Sequence, residues 1–128
     1  MKLKLFIICL LIGLKTALAF DINDDIANAI KSGNSKTLAS WFTDNVDLKV
    51  LDQEDVYSKA QAELIVKDFF TKHPVKTFSI AHKSSKNGSQ FAIGTLETTN
   101  GKYRVYFLLK KSAEKLQIQQ FRIEPENE

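Results

Sequence analysis

One cysteine, two histidines and five glycines occur in 128 residues, and each scarcity closes off a kind of chemistry. Cys9 sits inside an N-terminal apolar run, so the rest of the chain can form no disulfide and carries no thiol nucleophile. His73 and His82 stand apart in sequence with no cysteine near them, which is no zinc-ligand pattern. The acidic stretch DNVDLKVLDQED lacks the Asp-x-Asp-x-Asp-Gly order of a calcium loop. No glycine-rich phosphate loop exists either. No metal and no cofactor is expected.

Excess positive charge is scarce as well once its location is considered. MKLK, the ten apolar residues LFIICLLIGL and KTALA, ending in Ala17-Leu18-Ala19, have the layout of a secretory signal peptide. A spanning helix would need about 20 apolar residues. Cys9 is preceded by Phe6, Ile7 and Ile8, where lipidation requires small residues, so a lipoprotein is excluded. Residues 1–19 are expected to be removed, leaving 20–128 as a single domain that is exported, periplasmic or secreted, and free of the membrane. Removal takes Lys2, Lys4 and Lys15 from the 18 basic residues and leaves 15 against 15 acidic ones. A neutral domain has no electrostatic case for nucleic acid. Without disulfides it must be held by its core, and about 109 residues can bury an adequate one.

Apolar periodicity then sets out the elements. Ile22, Ile26, Ala29 and Ile30 share one helical face, with Asp21 or Asn23 as N-cap and Gly33 as the stop. Ser35 caps a second, short helix carrying Leu38, Trp41 and Phe42. VDLKV alternates as a half-buried strand, LDQED is a polar turn, and VYS is a short return strand. Ser58 and Gln61 form a capping box for a helix with Ala62, Ile65, Val66, Phe69 and Phe70 on one face, stopped by Pro74. The remainder reads as a four-stranded meander with turns at Asn87-Gly88, Asn100-Gly101 and Ser112-Ala113.

Two irregularities add detail. In the last strand Leu116 and Ile118 occupy one phase and Phe121 and Ile123 the other, which predicts a β-bulge at Gln119-Gln120 and a bent sheet. In the strand before it, Tyr103, Val105, Phe107 and Leu109 form one apolar face. Tyr106 and Leu108, with Arg104 in phase, form an outer face apolar enough to be covered by a second copy or left exposed.

LASWFTDNVDLKV, YSKAQAELIVKDFF and the bulged LQIQQFRI together resemble the nuclear transport factor 2-like (cystatin-like) superfamily across residues 22–123. More narrowly, the chain resembles a family of short exported proteins, mostly from Bacteroidetes, of uncharacterised function. The resemblance implies an α+β, cone-shaped fold. Three N-terminal helices would pack on a bent antiparallel sheet of about six strands, ending in a four-stranded meander. In such a cone Trp41 or Phe42 would line a pocket with Tyr57, Phe70 and Phe78, or plug it as core. The superfamily's enzymes set Asp, His, Tyr or Arg on the inner sheet face, as a general base in an apolar cavity requires.

His82, in phase with Phe78 and Ile80, is the one weak candidate for such a base. No carboxylate pair with a convergent tyrosine can be placed, and KKSAEK reads as a solvated turn. Three functions follow. The first is an exported binding or protein-interaction module, using the cone pocket for a small apolar ligand or the outer face for a partner. The second is an isomerase- or hydrolase-type enzyme with His82 as base and Tyr57 as donor. The third is a structural homodimer with a filled cone.

Overall fold

The computed structural model describes residues 22–112 and 115–126. The expected signal peptide, its cleavage site and the Asp21 cap lie outside them. The order is α1 (Ile22–Lys31), α2 (Ser35–Ala39), β1 (Phe42–Val50), β2 (Gln53–Ser58), α3 (Lys59–Lys72), β3 (Val75–Lys86), β4 (Ser89–Thr98), β5 (Gly101–Ser112) and β6 (Lys115–Pro125). All six strands form one sheet in the order β2-β1-β6-β5-β4-β3.

The sheet is mixed, which corrects the antiparallel expectation: β1 runs parallel to β6, while every other pair is antiparallel. The helices are not all N-terminal either, because α3 follows the β1–β2 hairpin. Since β3 to β6 form the meander, the last strand ends beside the first and takes a central place.

The local signals act as their chemistry dictates. Ser58 accepts from the Gln61 amide at 3.2 Å while Gln61 Oε1 accepts from the Ser58 amide, the reciprocal cap of α3. Ala62, Val66, Phe69 and Phe70 are the buried face of that helix. Its last turn closes with the His73 amide on the Phe69 carbonyl, and Pro74 prevents continuation. Asn34, not Ser35, caps α2, its Oδ1 accepting from the Thr37 amide at 3.0 Å. Consequently α2 ends at Ala39, and Trp41 and Phe42 lie beyond it, with Phe42 opening β1.

Alternation along the strands separates an inner from an outer face. Val46, Leu48, Leu96, Val105, Phe107, Leu109, Ile118, Phe121 and Ile123 are fully buried beneath the helices. Burying side chains of this size is worth about 1.5–3 kcal/mol each. Bulges reset the alternation, and two of them matter for the site. In β6, Leu109 pairs with Ile118 but Leu108 with Gln120, so Gln119 is the extra residue the phase change requires. In β3, Ile80 pairs with Gly94 but His82 with Ile93, so Ala81 is extra.

Candidate functional site

Aromatic side chains fill the space between helices and sheet. Phe42 is fully buried with its ring 5.9 Å from that of Phe121. Phe78 is also buried, and its ring lies where a Cβ on Gly94 would stand, 2.6 Å away. A glycine is needed there because any side chain would strike both that ring and the Ser79 carbonyl. Phe70 packs edge-on to Phe69 and against Gly33. The five residues expected around a pocket are therefore not brought around one. Phe42, Phe70 and Phe78 are core, Tyr57 is half-buried on the edge strand β2, and Trp41 faces a different space.

His82 is exposed, and the bulge at Ala81 is the reason. The extra residue reverses its phase relative to Phe78 and Ile80, and its ring sits 5.9 Å from Phe91 on the outer face. Tyr57 and His82 lie on β2 and β3, the opposite edges of the sheet. Five strand spacings of about 4.8 Å part them by roughly 24 Å. Tyr57 and His82 are therefore not brought together.

The outer face carries Arg104 exposed and Tyr106 and Leu108 half-buried. The rings of His82, Phe91 and Tyr106 run across three strands in a row, with the last two 6.0 Å apart. Next to it lies a charged strip. Lys49 Nζ donates to Glu124 at 2.8 Å and Arg122 approaches Glu54 at 3.6 Å. The Lys49 ammonium holds the Glu124 carboxyl below its usual range, and the carboxylate raises the lysine in return.

One end of the sheet holds an open cleft of about 660 Å³. The meander puts the tip of the β3–β4 hairpin beside the start of the β5–β6 hairpin, as the Ser89–Lys110 pairing requires. Asn87 and Gly88 turn the first with φ of 50° and 79°, the left-handed pair of a tight hairpin. Trp41, Ile22 and Leu116 supply the apolar lining, and Lys86, Lys111 and Lys115 the charge. Ser85, Asn87, Ser89 and Gln90 add neutral hydrogen-bonding groups, and no described lining residue is acidic. Among the described residues, none of the three lysines forms an ion pair. KKSAEK is exposed at its described residues, as a solvated turn should be, but that reading does not place Lys111 and Lys115 beside the β3–β4 hairpin. The available signal was topological: alternate turns of a meander fall on the same end of a sheet.

The opposite end is tied together by a polar cluster, with smaller clefts of about 480 and 240 Å³ beside it. Asn100 Nδ2 donates to the Lys72 carbonyl at 3.1 Å, which turns its Oδ1 toward His73 Nδ1, 2.7 Å away. Thr98 Oγ1 donates to the same Oδ1, and the Tyr103 hydroxyl lies 3.1 Å from His73 Nδ1. Phe69 stacks on the imidazole at 4.5 Å and Tyr103 meets it edge-on. Asn100 occupies this position because the turn is Thr99-Asn100, one residue earlier than expected, with Gly101 starting β5. This cluster joins the end of α3 to the β4–β5 turn. Among the described residues no group of acidic and histidine side chains is arranged to hold a metal ion.

Known structures share this fold. A crystal structure from Bacteroides uniformis matches with a TM-score of 0.80 and 33% identity, over 84% of this chain and 100% of that one. One from Bacteroides ovatus matches with 0.77 and 36%, over 81% and 94%. A domain of unknown function with a cystatin-like fold from Nostoc punctiforme matches with 0.65 at 11% identity, over 83% and 74%, which is a likeness of fold alone. No curated protein matches. Both Bacteroides structures are of DUF4783 proteins, and residues 23–124 fit the model of that domain of unknown function; with the nuclear transport factor 2-like, cystatin-like sheet already described, the chain belongs to the DUF4783 family.

Proposed function

We propose that this protein is an exported binding module that holds a small ligand in the cleft against Trp41, with the cone interior serving as core. The observation that carries this reading is the contrast between a filled interior and an open cleft. Phe42, Phe107 and Phe121 are wholly buried where a ligand would otherwise sit. The cleft, at about 660 Å³, falls within the size range of small-molecule sites, about 300–1,000 Å³. A few convergent polar groups around an apolar floor are what such sites need for orientation. Export is part of the proposal and rests on the layout of residues 1–19; protein recovered from the cell envelope should begin at Phe20.

A crystallographic fragment screen tests the site. Fragments collecting against Trp41 would support it. Fragments entering between α3 and the sheet, or avoiding the cleft altogether, would sink it.

A second reading is favoured by the ring row His82, Phe91 and Tyr106, which gives the outer face an apolar patch flanked by charge. On that reading the face is covered by a second copy of the chain. Sedimentation equilibrium should then give a dimer that Tyr106→Glu dissociates; a monomer at all concentrations would end it.

A further inference from the structure

The binding reading leaves open what the cleft selects, and the inference below rests on that reading. Three cations converge on the cleft from two hairpins: Lys86 at the end of β3, Lys111 near the end of β5 and Lys115 at the start of β6. On the outer face the pattern is different, because there Lys49 and Arg122 both meet carboxylates. Among the described residues no carboxylate lines the cleft, and the three ammonium groups have no ion-pair partner. Asp24 and Asp25, in the first turn of α1, are exposed and not among the lining residues. Like charges gathered without a counter-charge repel one another, and an anion placed among them removes that repulsion.

The floor is of the opposite character. Trp41 is half-buried and presents an indole beside Ile22 and Leu116. An aromatic face of this kind takes up a flat apolar body. Charge on the rim and an indole at the floor lie within one cleft, so both can be met by one molecule.

We infer that the cleft selects a small amphipathic organic anion, with a carboxylate or comparable oxyanion among Lys86, Lys111 and Lys115 and an apolar ring system against Trp41.

The test compares three probes that share one body: 2-naphthoate, 2-naphthylmethanol and 2-naphthylmethylammonium, titrated calorimetrically into the full-length protein after signal removal. The anion should bind about tenfold or more tighter than the alcohol and lose much of that advantage in high salt, while the cation should not bind. The triple variant K86Q/K111Q/K115Q should bring the anion down to the alcohol's affinity and leave the alcohol unchanged. Trp41→Leu should weaken both. Equal binding of anion and alcohol would overturn the anion selectivity and leave the binding cleft standing. Binding of none of the three would overturn both. Inorganic phosphate or hexaglutamate binding as tightly as naphthoate would show that the apolar body is irrelevant, and would also overturn the inference.

Discussion

The two ends of this sheet are finished differently. At one end a histidine, an asparagine, a threonine and a tyrosine use their polar atoms on one another. At the other, three lysines and a tryptophan surround open space. A strand of ten residues such as β4 keeps the ends about 30 Å apart. The difference teaches where stability and recognition are divided. Polar groups satisfied internally hold α3 to the β4–β5 turn, whereas the three lysines have no ion-pair partner among the described residues.

Truncation should break that contrast most clearly. Tyr103→Ala removes a side chain that is 8% exposed and in contact with both Phe69 and His73, and should cost about 3 kcal/mol in urea unfolding. Trp41→Ala at the open end should cost about 1 kcal/mol, since its ring is already half in water. Similar losses at the two sites would erase the distinction. Asn100→Ala should follow at about 1 kcal/mol, because it removes the donor to the Lys72 carbonyl and leaves His73 Nδ1 with the Tyr103 hydroxyl alone. Exchange of the amides at the end of α3 should quicken in that variant while those near Trp41 stay unchanged.

The lysines should behave in the reverse way. K86Q/K111Q/K115Q should alter stability by no more than about 0.5 kcal/mol, in either direction, as exposed positions without ion pairs do. A large loss would mean that the lysines are structural.

The smallest expected effect belongs to the outer face and calibrates both ends. Glu124 is held below its unfolded value, about 4.3, by Lys49. The stability this adds is present above that value and fades as pH falls through the lower folded value. In Glu124→Gln that part of the acid limb should flatten, by an amount that salt reduces further because both groups are partly exposed.

Much of this fold was legible because its signals are local. The Ser58–Gln61 cap, the Asn87-Gly88 turn and the phase change at Gln119 each need only a few neighbouring residues to be read. The parallel pairing of β1 with β6 was not legible, since hydrophobic alternation is identical in parallel and antiparallel partners. The bulge at Ala81 left no trace either: Phe78, Ile80 and His82 alternate cleanly on paper, and only the pairing with β4 shows that His82 has changed sides. The site suffered most from this. Its lysines come from separate hairpins, and no run of sequence contains them all.

The place of β6 has a consequence for how the chain reaches its shape. Hairpins β1–β2, β3–β4 and β4–β5 join neighbours and can form early, as contacts of short sequence separation do. The last strand alone bridges the two halves of the sheet, pairing Leu48 with Phe121 and Val50 with Ile123. Until it arrives, Phe42, Val46 and Leu48 have only the helices to close on, and two half-sheets wait with unpaired edges. A chain cut short before Lys115 would therefore lose its keystone rather than its border, and would expose the edges that most readily join to other molecules.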